Sequence, residues 1–359
     1  MVRKFLPLIL IIAFILFGFY FFFLKTREIN IFPRKAGDDK LKNESAFDPK
    51  LLTWEETVSN APWENRDAHF SIVFKDKIWL MGGLSGGKTK NPVYEEIPHF
   101  RDIWTSENGK DWEKVSDRAP WQERRSADLI SFKDKIWLLG GWQKKFGETK
   151  NDVWSSEDGI NWKLIASSAP WTPREGHSVV IFKDKIWLLA GVDFFKKETK
   201  NDVWYSEDGI KWIQAALQAP WSKRYDQTLT VFKDKLWLIG GLDFGNQIKK
   251  DIWVSDDGKN WQLVTDNASF PARHGHVSLV FNDLLWIIGG WGEAGGLNDV
   301  WYSADGINWQ KTKQAGPWLG REDHTGIVFN DKIWIMGGMA QEGEYFSWKN
   351  DIWRSEFKQ

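Results

Sequence analysis

The chain's 26 tryptophans fall into columns, and those columns constrain the fold more than any other feature of its 359 residues. One column runs Trp79, Trp137, Trp187, Trp237, Trp286 and Trp334, each inside a run such as "KIWLLAG". A second runs Trp104, Trp154, Trp204, Trp253, Trp301 and Trp353, in runs such as "DVWYS". A third holds Trp112, Trp162, Trp212, Trp261 and Trp309, then stops. Residues that recur at a fixed period mark one supersecondary unit that buries its apolar face against copies of itself.

The unit "APWTPREGHSVVIFKDKIWLLAGVDFFKKETKNDVWYSEDGIKW" reads as short strands with turns between them. "HSVVIF" passes through "KDK" into "IWLLAG", and a variable loop leads to "DVWYS". The turn "EDGI" then returns the chain into "KWIQAA". Asp-Gly between apolar runs is a hairpin signal, because glycine accepts positive φ. The missing member of the third column is supplied from the front of the chain. Trp54 lies seven residues before Ala61, as Trp162 lies seven before Ala169. A chain that begins with one outer strand and ends one outer strand short is explained by a ring closed between its ends. The expected fold is all-β, a six-bladed β-propeller of four-stranded blades over residues 51–359, with the N-terminal strand completing the last blade.

The repeat resembles the kelch family over nearly all of that range. The family's double glycine stands at Gly82-Gly83, Gly140-Gly141, Gly240-Gly241, Gly289-Gly290 and Gly337-Gly338, with Ala190-Gly191 the one departure. Its spaced aromatic pair is kept by Tyr205 with Trp212 and by Tyr302 with Trp309. Thr105, Ser155, Val254 and Arg354 replace the tyrosine elsewhere. The "S-x-D-G-x-x-W" turn is also similar to the Asp-box of sialidase propellers, one residue shorter. Kelch-type propellers host unrelated activities, so the resemblance implies fold far more than function.

The segments before the repeats differ in kind. Residues 5–24, "FLPLILIIAFILFGFYFFFL", carry no charge and as a helix would span about 30 Å, a bilayer core. No small residues stand before an exit reading Tyr20-Phe21-Phe22-Phe23-Leu24, so residues 1–24 are expected to remain as a transmembrane anchor. Residues 25–50 are polar and without periodicity, and read as a tether. The expected arrangement is a single-pass membrane protein whose propeller lies outside the cytoplasm. Positive charge on both flanks leaves the positive-inside rule with little discrimination.

Several function classes drop out. Residues 1–35 hold six of the 48 Lys/Arg and one of the 49 Asp/Glu, which leaves the remainder net acidic and gives no footprint for nucleic acid. There is no cysteine, so thiolate metal sites and the tyrosine–cysteine copper cofactor of galactose oxidase are excluded. No cofactor, catalytic set or metal site is assigned.

Comparing blades separates structural from functional residues. Arg66, Arg124, Arg174, Arg224, Arg273 and Arg321 occur in every blade, so they are expected to tie blades to backbone carbonyls rather than to bind an anion. Three positions on stand His69, His177, His276 and His324, with Ala127 and Gln227 in the remaining blades. Four imidazoles suit a metal, yet R-x-x-H is also how the kelch family leads into its inner strand.

Blade-specific residues are the candidates for a ligand. The positions after the arginines read Asp67, Arg125-Ser126, Glu175, Tyr225-Asp226, His274 and Glu322-Asp323. The loops after the second strand, on the same face, add Trp142, Trp291 and Trp348 with Asp193 and Asp243. Phe194, Phe195, Phe244, Tyr345 and Phe346 lie there too, and the insertion 84–100 lengthens the first of these loops. Aromatic faces among carboxylates suit a sugar surface, where ring faces stack and hydroxyls find charged partners. The expected ligand-binding set is Trp142, Trp291, Trp348, Arg125, Glu175, Asp193, Tyr225, Asp226, Asp243, Glu322 and Asp323, and the expected partner a glycan or a protein. The alternatives are a sugar epimerase or mutarotase, resembling kelch-type N-acetylneuraminate epimerases, in which Glu175, Asp226 or Glu322 would act with His324. An envelope-complex scaffold is the third reading.

Overall fold

Two residues with positive φ, Lys75 and Asp76, turn the first strand of blade one into the second. The same pair of left-handed residues recurs at 133–134, 183–184, 233–234, 282–283 and 330–331. This is the two-residue hairpin turn whose twist matches the strands it joins. The structure is a computed structural model, and it describes residues 47–357 other than 95 and 146. The anchor read at 1–24 and all but the last four residues of the tether lie outside the described residues. Among the described residues no helix is long and apolar enough to cross a membrane.

Blade three shows the pattern: Ser178–Phe182, Lys185–Leu189, Val203–Ser206 and Trp212–Ala216 form one antiparallel sheet in that order. Blades one, two, four and five repeat it. The inner strands begin at Phe70, Asp128, Thr228 and Val277, and each packs against the inner strands of both neighbours. Blade six takes three strands from the C-terminal end, Thr325–Phe329, Lys332–Glu342 and Tyr345–Phe357. Its outer strand is Leu52–Val58, in antiparallel register from Leu52 opposite Phe357 to Val58 opposite Ile352. The ring is closed as the displaced tryptophan column implies. Ahead of that strand, Phe47 packs edge-on against Phe357 and Phe281.

The stretch "NDVWYSEDGIKW" (201–212) is now legible letter by letter. The Asn201 amide donates to the carbonyls of Ala219 and Trp221, where the chain leads into the next blade. Asp202 takes the Arg174 guanidinium through both oxygens, at 2.7 and 2.8 Å, and also accepts the Trp204 indole N–H. Ser206 and Asp208 cap the turn by accepting the N–H groups of Gly209, Ile210 and Lys211. Gly209 has φ 76°, and a Cβ there would stand 2.5 Å from the Trp137 ring of the preceding blade. Glycine is needed twice, for the turn and for the seat of that indole. The same contact joins Gly109 to Trp334, Gly159 to Trp79, Gly258 to Trp187 and Gly306 to Trp237. Five of the six second-strand tryptophans are thus seated on a turn glycine of the next blade.

Candidate functional site

The arginine column is structural. Each guanidinium is almost wholly buried and forms a two-pronged pair with an aspartate of its own blade: Asp102, Asp152, Asp202, Asp251, Asp299 or Asp351. It also donates to the carbonyl of the first residue of the double-glycine position, as Arg66 does to Gly82 at 2.9 Å. Ala190 supplies that carbonyl in blade three while keeping the left-handed conformation, φ 60°. At Gly140, Gly240, Gly289 and Gly337 a Cβ would press on the histidine of the following blade, whereas the blade after Ala190 carries Gln227 at that position. Burial pushes these aspartates up, but their arginines hold them below the usual carboxylate range.

Two positions beyond each arginine lies a left-handed residue: Ala68, Ser126, Gly176, Asp226, Gly275 and Asp323. Their backbones form a closed ring. Ser126 donates to Ala68, Gly176 to Ser126, Asp226 to Gly176, Gly275 to Asp226, Asp323 to Gly275 and Ala68 back to Asp323, at 2.8–3.3 Å. The ring and the inner strands line an open axial cavity of about 280 Å³.

On the other side of the ring sit the residues one position beyond the arginines. Each pairs in antiparallel fashion with the residue after the double glycine: Asp67 with Leu84, Arg125 with Trp142, Glu175 with Val192, Tyr225 with Leu242, His274 with Trp291, Glu322 with Met339. That pairing is what brings the second-strand loops and the arginine-following positions onto one face. Every blade thus contributes one variable side chain to the channel mouth, above an apolar or aromatic neighbour.

Charge dominates this mouth. Arg125 pairs with Glu175 at 3.0 Å and lies between two rings, 4.8 Å from Trp142 and 5.3 Å from Tyr94. Asp67 is 2% exposed, and its Oδ1 has no hydrogen-bond partner. Burial and the charge of Asp323 push its pKa well up, while the Trp348 indole N–H and Arg125 oppose the shift. Burial and Asp323 likewise raise Asp226 and Glu322. Asp323 is pushed up to about 6, by burial first, with Arg125 pulling the other way. The Asp226 and Asp323 carboxylates lie where a Cβ on Gly176 or Gly275 would be, so those glycines make room for them.

The predicted residues divide. Arg125, Glu175, Tyr225, Asp226, Glu322 and Asp323 converge at the mouth. Trp142 is buried beneath Arg125, against His99 at 4.9 Å. Trp348 is 1% exposed and packs with Leu84 and Met339, so it supports Asp67 from behind rather than offering a face. Trp291 alone of the three stays partly exposed, stacked 6.0 Å from Phe346. Asp193 and Asp243 fold their own loops. Asp193 accepts from the Lys196 N–H, and Asp243 from the N–H groups of Gly245 and Gln247 and from Lys249 Nζ at 2.7 Å. Phe194, edge-on to Tyr225 at 5.4 Å and 6.0 Å from Phe244, gives the rim a second aromatic patch.

Tyr94, inside the insertion 84–100, was not legible as a site residue, since nothing in that loop's sequence aligns it with another blade. The histidines lie between blades: His69 and His276 meet the hydroxyls of Thr325 and Thr228 in the blade before. Gln227 reaches Ser178 in the same way. Among the described residues no group of three or more His, Asp or Glu side chains has the geometry to hold a metal ion.

A model of the kelch-repeat domain described as KLHDC2/KLHL20/DRC7 matches residues 126–338. The chain belongs to the kelch-repeat family. Among solved structures, "Structure of YjhT" superimposes with a TM-score of 0.65 over 82% of this chain and 96% of that one, at 17% identity. At that identity the likeness shows the fold alone. No curated protein matches the sequence. The arginine, aspartate and double-glycine columns recur from blade to blade, whereas the mouth residues differ between blades.

Proposed function

We propose that this kelch propeller is a binding protein, tethered to the membrane by residues 1–24 outside the cytoplasm, that recognises a glycan at the channel mouth. The observation that carries the reading is Asp67, a buried carboxylate whose Oδ1 has no hydrogen-bond partner. A buried polar atom without a partner costs about 1–3 kcal/mol, a cost that a ligand hydroxyl or amine would relieve. Trp291 and Phe346 on one side and Phe194 and Phe244 on the other supply faces for sugar rings.

The test is a tryptophan-fluorescence melt of the full-length protein in detergent against a sugar panel. A bound sugar raises the midpoint by mass action. Trp291→Ala should remove the rise while leaving the unliganded midpoint within a few degrees. No rise with any sugar would sink the glycan reading and favour a protein partner. Exposure outside the cytoplasm is checked with Phe195→Cys, which introduces one cysteine at an exposed loop of a cysteine-free chain. Labelling by an impermeant maleimide on intact cells is expected, and labelling only after lysis contradicts the topology.

One observation favours a second reading, sugar epimerase or mutarotase. Asp323 is pushed up to about 6 beside Glu322, whose carboxyl burial raises well above its usual range, so the mouth offers a proton donor and an acceptor together. His324 takes no part in this version, because it is buried between blades and neutral, its pKa pushed down to about 3. Asp323→Asn would then abolish catalysed mutarotation with ligand binding retained; a wild type without turnover removes the reading.

A further inference from the structure

We propose that the group seated at the channel mouth is the protonated amine of an amino sugar, held among Asp67, Asp226, Glu322 and Asp323. The inference rests on the glycan reading above and names its ligand class. The local inventory of charge carries it. Five carboxylates stand on or directly beside the backbone ring, Asp67, Glu175, Asp226, Glu322 and Asp323, and among the described residues Arg125 is the cation that pairs with one of them. Arg125 is already committed to Glu175 at 3.0 Å and clamped between Tyr94 and Trp142. His274 stands 3.3 Å from Glu322, but burial keeps its imidazole neutral at pH 7, with a pKa near 4. Among the described residues no lysine or arginine forms an ion pair with Asp67, Asp226 or Asp323.

This arrangement is built rather than incidental. Asp226 and Asp323 occupy left-handed positions in the backbone ring, a conformation that costs most residues about 1–2 kcal/mol, and Gly176 and Gly275 clear the space their carboxylates fill. A fixed set of acceptors without its own cation suits an ammonium, which donates three charge-assisted hydrogen bonds and relieves the mutual repulsion. A sugar acid would add a like charge to the cluster. An N-acetyl sugar would offer one weaker donor. The aromatic rim then takes the sugar ring.

The experiment titrates full-length protein in detergent with glucosamine, N-acetylglucosamine, glucose and N-acetylneuraminate by calorimetry at pH 6.5. Glucosamine should bind at least about tenfold tighter than the other three, the equivalent of one charge-assisted hydrogen bond. Its enthalpy should vary with the buffer's ionisation enthalpy, since an ammonium expels protons from the carboxylates. Gly176→Ala and Gly275→Ala push the two aspartates aside, and Ala68 shows that alanine fits this ring position. Both variants should fold and lose the preference for the amine. Equal or tighter binding of N-acetylglucosamine or N-acetylneuraminate overturns the amine inference and leaves the glycan reading standing. Binding by none of the four overturns both.

Discussion

Ala68 donates its backbone N–H to the carbonyl of Asp323 at 3.0 Å, and that bond joins the first blade to the last. It is one of six equivalent bonds around the axis, so the seam between chain ends is made as every other blade junction is made. Three further links cross the same seam. Leu52–Val58 pairs with Tyr345–Phe357, Arg66 donates its N–H to Lys349, and Asn350 reaches the carbonyls of Ala61 and Trp63.

If the seam is equivalent to the other junctions, its asparagine should matter as much as an internal one. Asn350→Ala and Asn201→Ala each remove two hydrogen bonds to buried carbonyls, worth about 1–3 kcal/mol together. Urea unfolding is expected to give the same loss for both. A loss at Asn350 smaller by more than about 1 kcal/mol would mean that the ring is looser where the chain ends meet.

The turn glycines separate backbone strain from packing. Gly209 and Gly87 both have positive φ, but a Cβ at Gly87 meets nothing within 4 Å while one at Gly209 meets the Trp137 ring. Gly87→Ala should cost about 1 kcal/mol, the conformational term. Gly209→Ala should cost about 1–3 kcal/mol more, the overpacking term. Equal losses would show that the indole seat yields freely.

The histidines make the fold acid-sensitive. Burial first, and then the neighbouring arginine, lowers His177 to about 3 and sets His276 well below 6.5. A histidine depressed in the folded state contributes stability that is present above 6.5 and lost as pH falls toward its folded pKa. Asp128, raised to about 7 by burial, and Asp323 act in the opposite sense, their contribution being lost as pH rises. His276→Gln installs the side chain that blade four already carries as Gln227. It should reduce the loss of stability between pH 6 and 4 by up to about 1.4 kcal/mol per pH unit, read from urea melts. An unchanged slope would show that His276 is not buried neutral.

The architecture was legible because each blade states its interactions in its own letters. Tryptophan columns, the Asp-Gly turn and the displaced Trp54 all report local or nearest-blade contacts, which recur six times and so stand out from a single sequence. The site was legible only by subtraction. Arg125, Glu175, Tyr225, Asp226, Glu322 and Asp323 differ between blades at a position the repeat fixes, and the structure gathers them. Trp142 and Trp348 sit in the same loops but turn inward, beneath Arg125 and behind Asp67. Trp142 stands in a column of largely buried apolar residues directly after the double glycine, from Leu84 to Met339, but so does the partly exposed Trp291, and Trp348 lies outside it, so the sequence alone did not separate them. Asp193 and Asp243 read as ligands because a loop carboxylate looks the same whether it binds a guest or its own turn. Only the hydrogen bonds to Lys196, Gly245 and Gln247 tell them apart.

The most direct test of the central claim is a crystal structure of the protein with the glucosamine trimer bound. The sugar's nitrogen is expected within about 3.2 Å of at least two carboxylates among Asp67, Asp226, Glu322 and Asp323, with a sugar ring against Trp291 or Phe194. Sugar density on the outer strands or at the opposite end of the channel, with the mouth empty, would contradict it.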